Sequence, residues 1–154
     1  CSQPADTYLG LLLQIQSHPH TPVALTVLEC WLTVQDIPTN TRHEHWKAQL
    51  FMKIAEGLVT RLAYTKNFVN WEEELNLDQQ EFSEYRRMVT DVLVNCYFLL
   101  RVQFLRQLRN VITSTTTDWT LTESALFCLG AVFREVCARV KARGSSTSPD
   151  RNET

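Results

Sequence analysis

Residues 81–100 read EFSEYRRMVTDVLVNCYFLL, and this stretch decides the fold. Its apolar side chains recur at alternating gaps of three and four residues, at Phe82, Tyr85, Val89, Val92, Cys96 and Leu99. Since an α-helix has about 3.6 residues per turn, this spacing places them on one helical face. The sequence therefore predicts an amphipathic helix over about Glu81–Leu100, the fourth in the chain, with Arg86 and Arg87 on the solvent side.

The apolar pattern changes phase near Arg101. A fifth, shorter helix is predicted over about Gln103–Ile112. No Gly or Pro marks the break, so one long helix over 81–113 is the alternative interpretation.

A polar loop over Thr113–Asp118 precedes the sixth predicted helix. Its start carries the capping-box pattern Thr120-x-x-Glu123, and its end is predicted near Arg143, with Gly144 as the residue after the helix. Two neighbouring rows of apolar residues follow its length: Ala125, Leu129, Val132, Val136 and Val140 in one, and Leu126, Phe133 and Cys137 in the other.

Three more helices are predicted upstream of residue 81. The first covers about Ala5–Ser17, and the second covers Pro22–Gln35 with Thr21 as its N-cap. The third begins at the capping box Thr41-x-x-Glu44 and runs to about Lys66. Residues 67–80 are predicted to form a loop that carries the acidic run 72–74.

The amino-acid composition of the chain argues against some classes of function. Of the 154 residues, 44% are hydrophobic and 21% are charged, which is typical of a globular protein. The net charge of −2 gives no electrostatic basis for binding nucleic acid. No apolar run reaches the length of a membrane span, so we expect no membrane partner.

The five cysteines are odd in number and contain no CxxC pair. Cys30, Cys96, Cys128 and Cys137 fall in apolar helical runs, so they are predicted to be reduced, buried thiols. Free thiols are typical of a reducing compartment.

No residues suggest catalysis. His18, His20, His43 and His45 are the only histidines, and their spacing is not that of a zinc site. The sequence has no nucleophile elbow and no glycine-rich phosphate loop. We therefore expect neither an enzyme nor a bound cofactor.

The predicted helices group into pairs. Helices two and three form one hairpin of about 45 residues, and helices four and five form another, which is the unit size of HEAT and armadillo repeats. The prediction is an all-α, HEAT-type α-α superhelix. Its parts are a half repeat at 1–17, repeats at 18–66 and 67–114, a half repeat at 115–143 and a disordered tail at 144–154.

Three segments in register resemble the karyopherin-β nuclear transport receptors, in particular the transportin-SR/importin branch. They are LECWLTV at 28–34, EFSEYRRMVTDVL at 81–93 and WTLTESALF at 119–127. The resemblance covers roughly residues 9–138. It implies that helices one, three and five are inner B helices, while helices two, four and six are outer A helices.

The resemblance also implies a function: transport of protein cargo between cytoplasm and nucleus, with the GTPase Ran and nucleoporins as partners. The expected cargo or Ran contacts are the polar residues of the inner helices, namely Lys47, Lys53, Arg61, Arg106 and Arg109. Two alternatives remain: a HEAT or armadillo scaffold unrelated to transport, and a secreted helical-bundle cytokine, which the sequon at 152–154 permits.

Overall fold

The computed structural model describes residues 3–65, 68, 77–114 and 118–145. These residues form helices joined by turns and loops, with no β-strand among them, which confirms the all-α prediction. The helices are α1 (Gln3–Gln16), α2 (Thr21–Leu25), α3 (Leu28–Asp36), α4 (Ala48–Arg61), α5 (Leu77–Leu100), α6 (Val102–Thr113) and α7 (Trp119–Ser145), with a one-turn 3₁₀-helix at Glu44–Trp46. The acidic run 72–74 and the tail beyond Ser145 lie outside the described residues.

The second predicted helix is divided into α2 and α3. The hydroxyl of Thr26 donates a hydrogen bond to the carbonyl of Val23 at 2.7 Å, and α2 ends there. A short polar side chain that bonds to nearby backbone offers the chain an alternative to continuing the helix. Thr21 is the first residue of α2 rather than its N-cap. Trp31 on α3 is fully buried, as its apolar position predicts.

The third predicted helix begins later than its capping-box pattern indicates. The Thr41 hydroxyl donates to the carbonyl of Pro38 at 2.8 Å, in a turn that precedes the helix. Helix α4 starts only at Ala48 and ends at Arg61, five residues before the predicted end. The apolar row of this segment predicts an inward face, and five of its members are buried, whereas Trp46, which belongs to the same row, is only partly buried. The five are Leu50, Phe51, Ile54, Leu58 and Leu62.

Arg42 holds the turn that leads to α4. Its guanidinium donates to the carbonyl of Ile37 at 2.7 Å and to the carbonyl of Gln35, at the C-terminal end of α3. The last carbonyls of a helix have no partner within the helix, so this buried cation satisfies them. Burial lowers the pKa of Arg42 from its ordinary value.

The break between α5 and α6 is confirmed, and the single long helix is wrong. The two helices are bent by 116° relative to each other across Arg101. Arg101 has a φ of 54°, the only positive φ among the described non-glycine residues. Since this conformation is strained for a residue with a side chain, the surrounding packing must hold it. The sharp bend lets both helices cover one core.

Helices α4 and α5 lie at the centre of the structure. Helix α4 contacts α1, α5, α6 and α7, while α5 contacts α2, α3, α4, α6 and α7. In the predicted superhelix each helix pair contacts mainly the neighbouring pairs, and the contact of α4 with α7, which belong to the first repeat and to the last half repeat, departs from that prediction. It is close: the Ser124 hydroxyl of α7 donates to the carbonyl of Val59 on α4 at 2.5 Å, and Ser124 is fully buried.

Helix α7 buries only part of its apolar surface. Ala125, Cys128 and Val132 are completely buried, whereas Leu126, Phe133 and Val140 are each more than half exposed. The three exposed residues are spaced by seven and lie along one side of the helix. The helix also continues through Gly144, which we had predicted to follow its end.

The described cysteines are all free thiols. Cys96 and Cys128 are buried, as predicted, but Cys30 and Cys137 are only partly buried. Burial raises the pKa of the Cys128 thiol to about 12 and also raises that of Cys96. The two buried thiols therefore stay protonated at neutral pH and act as small apolar groups.

Candidate functional site

The part of α4 beside its buried row borders a groove shared with α6. The groove has a volume of about 540 Å³. Residues at positions i, i+4 and i+8 of a helix share one face, which explains why Ala48, Met52 and Glu56 all line the groove. The full lining is Ala48, Gln49, Met52 and Glu56 from α4, with Gln103, Arg106, Gln107 and Asn110 from α6.

Carboxamides dominate the polar lining of this groove. The side chains of Gln49, Gln103 and Asn110 are exposed and make no hydrogen bond within the described part of the chain. The Oε1 atom of Gln107 is buried and has no hydrogen-bond partner. A buried acceptor without a partner costs free energy, so this oxygen is locally unfavourable for the fold.

Two side chains of opposite charge line the groove together with the amides. Glu56 of α4 and Arg106 of α6 both line the groove and are exposed. Neither makes an ion pair with a residue in the described ranges. Their charges cancel, so the groove carries no net formal charge and is suited to a ligand of mixed polarity.

Four of the five predicted contact residues do not line the groove. Arg106 lines it, whereas Lys53 and Arg109 are exposed on α4 and α6 beyond its lining. Lys47 precedes α4 and forms an ion pair with Glu44, with 2.7 Å between Nζ and Oε2.

Arg61, the fifth predicted residue, is bound within the chain. Its guanidinium donates to the carbonyl of His18 at 3.0 Å, to that of Pro19 at 2.9 Å and to the hydroxyl of Thr21 at 3.0 Å. It also lies over the ring of Tyr85, 5.1 Å from the centroid. Arg61 therefore fixes the turn between α1 and α2, which is a structural role.

Arg86 is the clearest error of the sequence prediction, which placed it in solvent. It is 5% exposed, and its Nη2 atom forms an ion pair with Oε1 of Glu123 on α7 at 2.7 Å. Its guanidinium carbon lies 4.1 Å from the ring centroid of Phe127 and 4.7 Å from that of Tyr64. Long side chains at the edge of an apolar stripe can bury their stems and charges, and the stripe alone does not reveal this.

Glu123 is consequently not part of a capping box. The start of α7 is capped by Asp118, whose Oδ1 accepts a hydrogen bond from the backbone N–H of Thr120 at 3.3 Å. Asp is a preferred N-cap residue, so the sequence did carry this signal, one residue before Trp119. Thr120, the predicted cap, is buried.

A second cleft of about 600 Å³ lies where the α1–α2 turn meets the start of α5. Its aromatic members pack on one another: the Tyr64 ring centroid is 4.5 Å from that of Phe68 and 5.3 Å from that of Phe82. The same Tyr64 ring also contacts the Arg86 guanidinium. The cleft is thus the outer side of the cluster that buries Arg86.

The histidines lie in local turns. The Nδ1 atom of His18 accepts from the N–H of His20 at 3.1 Å, and that of His43 accepts from the N–H of His45 at 3.4 Å. No three metal-binding side chains cluster among the described residues.

No protein-family model, curated protein or solved structure matches the chain. Of the helices that the structure describes, none is by itself long and apolar enough to cross a membrane. Helices α5 and α6 pass that test only as a pair, bent by 116°. The functional proposal therefore depends on the sequence motifs and on the arrangement of the helices.

Proposed function

We propose that this chain is a HEAT-type segment of a nuclear transport receptor of the karyopherin-β class. In this proposal, α4 and α6 are inner helices whose polar surface contacts protein cargo or the GTPase Ran, and nucleoporins are further partners of the receptor. The three motif segments at 28–34, 81–93 and 119–127 support it, because they fall on α3, α5 and α7. Each motif thus lies on a helix that the resemblance assigns as an outer A helix.

The observation that carries the proposal is the order of the helix contacts. Helix α4 contacts both α1 and α6, and α5 contacts both α3 and α7. Two rows can be traced, α1–α4–α6 and α3–α5–α7, and they are joined by the contacts of α5 with α4 and α6 and by those of α7 with α4 and α6. Stacked helix pairs produce such rows, because each helix packs on its counterpart in the neighbouring repeat.

The two ends of this arrangement expose apolar side chains. Tyr8 and Leu11 on α1 are 58% and 52% exposed, and Phe133 and Val140 on α7 are 60% and 65% exposed. Repeats bury such faces against neighbouring repeats. By contrast, α6 directs exposed polar residues such as Arg106 and Asn110 away from the core, as expected of a surface that binds a partner reversibly.

A scaffold unrelated to transport could have the same helix rows, so Ran binding is the discriminating property. The cytokine alternative has weaker support, since the four described cysteines are free and small secreted domains usually depend on disulfides.

The test reverses two charges on α6, Arg106→Glu with Arg109→Glu, in the complete receptor. Both residues are exposed, so the melting temperature should change little. The affinity for GTP-bound Ran or for cargo should fall about tenfold at low salt and less at high salt, because rim charges act through long-range electrostatics.

The matched control reverses Arg87 and Arg134, which are exposed on α5 and α7 in the other row. Arg86 is unsuitable as a control because it is buried. Equal losses from both double variants would remove the assignment of α4 and α6 as the partner-binding row. A receptor that binds neither GTP-bound Ran nor cargo would favour the unrelated scaffold.

A further inference from the structure

We propose that two copies of this chain exchange their C-terminal parts, so that α6 and α7 of each copy pack on α4 and α5 of the other. In this domain-swapped dimer, α5 and α6 of each copy form one continuous helix through Arg101. The feature that points to it is a single strained residue between two helices bent by 116°. The inference goes beyond the transport proposal and does not depend on it.

The bend between α5 and α6 lies at one residue. Arg101 alone connects Leu100, the last residue of α5, to Val102, the first residue of α6. Its φ of 54° and ψ of −118° are strained for a residue with a side chain, whereas glycine adopts positive φ readily. No Gly or Pro occurs between residues 81 and 113, so the local sequence contains no residue that favours a bend over a continuous helix.

The bend also interrupts the backbone hydrogen bonds. In a continuous helix the N–H groups of Val102, Gln103 and Phe104 would each donate to a carbonyl of α5 four residues earlier. Among the described residues, no backbone hydrogen bond joins these groups to α5, and no side chain caps the start of α6. Straightening the two helices would form these bonds and remove the strain at Arg101.

Tertiary contacts of α6 and α7 hold the bend in the monomer. Phe104 of α6 is fully buried, the Ser124 hydroxyl of α7 donates to the main chain of α4, and Glu123 of α7 pairs with Arg86 of α5. A monomer with a straight helix would lose these contacts. A second copy presents identical surfaces, so the swapped dimer keeps them all, and what opposes it is the entropy of association.

Two exposed apolar side chains lie on either side of the bend. Phe98 is 43% exposed and Val102 is 55% exposed. In a continuous helix these residues are four positions apart and share one face. The two straightened segments of a swapped dimer lie beside each other, because each long helix crosses from one lobe to the other. Phe98 and Val102 of the two copies can therefore pack together, which favours a second copy as the partner.

The first experiment compares Arg101→Gly with Arg101→Ala in the complete 154-residue chain. Both substitutions remove the guanidinium that lies over the Phe98 ring, and the two variants differ by one methyl group. Gly adopts a positive φ without strain and favours the bent monomer, whereas Ala favours the continuous helix. Each variant is unfolded in urea, refolded at high protein concentration and analysed by sedimentation velocity.

The Ala variant should form the tighter dimer. We expect its dissociation constant to be at least about tenfold lower than that of the Gly variant, because two hinges contribute to each dimer. Equal dimerisation of the two variants, or no dimer of Arg101→Ala, would overturn the inference.

The second experiment distinguishes exchange of helices from association through a surface. Arg86→Met leaves Glu123 without its cation, and Glu123→Met leaves Arg86 buried without its carboxylate. In a swapped heterodimer of these two variants, one lobe contains both methionines and the other contains the native ion pair. Neither charge then lacks a partner, and apolar replacement of a whole buried pair is tolerated.

The two variants are refolded together and their dimers are counted by native mass spectrometry. The ratio of heterodimer to homodimers should exceed its random value by at least about tenfold, because each homodimer contains unpaired charges. The matched control mixes Glu84→Met with Arg87→Met, since this exposed pair lies within α5 and exchange does not separate it. The control should give random pairing. Random pairing of the Arg86 and Glu123 variants as well would reject the exchange and indicate a dimer formed through an exposed surface.

Discussion

The guanidinium of Arg86 on α5 and the carboxylate of Glu123 on α7 form an ion pair with 2.7 Å between Nη2 and Oε1, although 37 residues separate them in the chain. The Arg86 side chain is 6% exposed and the Glu123 side chain is 29% exposed. The pair lies among aromatic rings, so its two charges have few alternative partners. It therefore joins two neighbouring helices of the proposed row α3–α5–α7.

Removing the carboxylate should strongly destabilise the protein. In Glu123→Gln, Arg86 remains as a buried cation without an ionic partner, and breaking a buried pair in this way costs about 3 kcal/mol. We expect a lower urea midpoint with an unchanged m-value. Arg87→Gln is the control, because Arg87 pairs with Glu84 in solvent and its loss should barely move the midpoint. Equal effects of the two substitutions would show that the Arg86–Glu123 pair is not a buried link.

Gly57 allows the close approach of α1 to α4. A Cβ atom at this position would lie 2.5 Å from Nε2 of Gln16, which is fully buried and donates to the carbonyl of Ile54 at 2.9 Å. Gly57→Ala should therefore destabilise the protein by about 1–3 kcal/mol, the range for overpacking a tight contact.

Gly130→Ala on α7 is the matched control for this prediction. Nothing lies within 4 Å of the added Cβ there, so the substitution should stabilise the helix by about 0.5–1 kcal/mol. A double variant, Gln16→Ala with Gly57→Ala, should be less destabilised than the sum of its single variants, because the clash is removed. Additive effects in urea unfolding would contradict the close contact.

Stability should decrease in alkaline solution. Burial raises the pKa of the Cys128 thiol from 9.0 to about 12 and that of the Tyr85 phenol from 10.0 to about 12. Above these ordinary values the unfolded chain releases protons that the folded chain retains, so the free energy of unfolding falls as pH rises. The contribution of these two groups to the free energy of unfolding is complete below about pH 9. It is lost between pH 9 and pH 12, where the free energy of unfolding falls by about 1.4 kcal/mol per pH unit for each group.

Two variants separate these contributions. Cys128→Ala should reduce but not abolish the decline that begins above pH 9, because the buried Cys96 thiol, whose pKa is also raised, still contributes to it. Tyr85→Phe should reduce the part that begins above pH 10. Urea midpoints measured from pH 8 to pH 11 give the slopes. If both variants have the slope of the unsubstituted protein, the alkaline loss comes from other groups.

The fold class and most helices follow from local patterns. The row over Tyr85, Val89, Val92 and Cys96 predicts the buried face of α5, because helical periodicity depends only on residues within a few turns. The break at Arg101 was also indicated by a phase change. The cap at Asp118 could have been found from residue preference, but the pattern Thr120-x-x-Glu123 offered a competing interpretation.

The sequence by itself thus determined an all-helical chain and the inward faces of α4 and α5. Only the tertiary structure decided which polar residues are buried, which of them lack hydrogen-bond partners, and which helices contact one another. Arg86 and Arg106 look alike in the sequence, yet one is enclosed by Phe127 and Glu123 while the other lines an open groove. The physical reason is distance along the chain: periodicity fixes the side of a helix a residue occupies, but its burial depends on helices that pack there from far away in sequence.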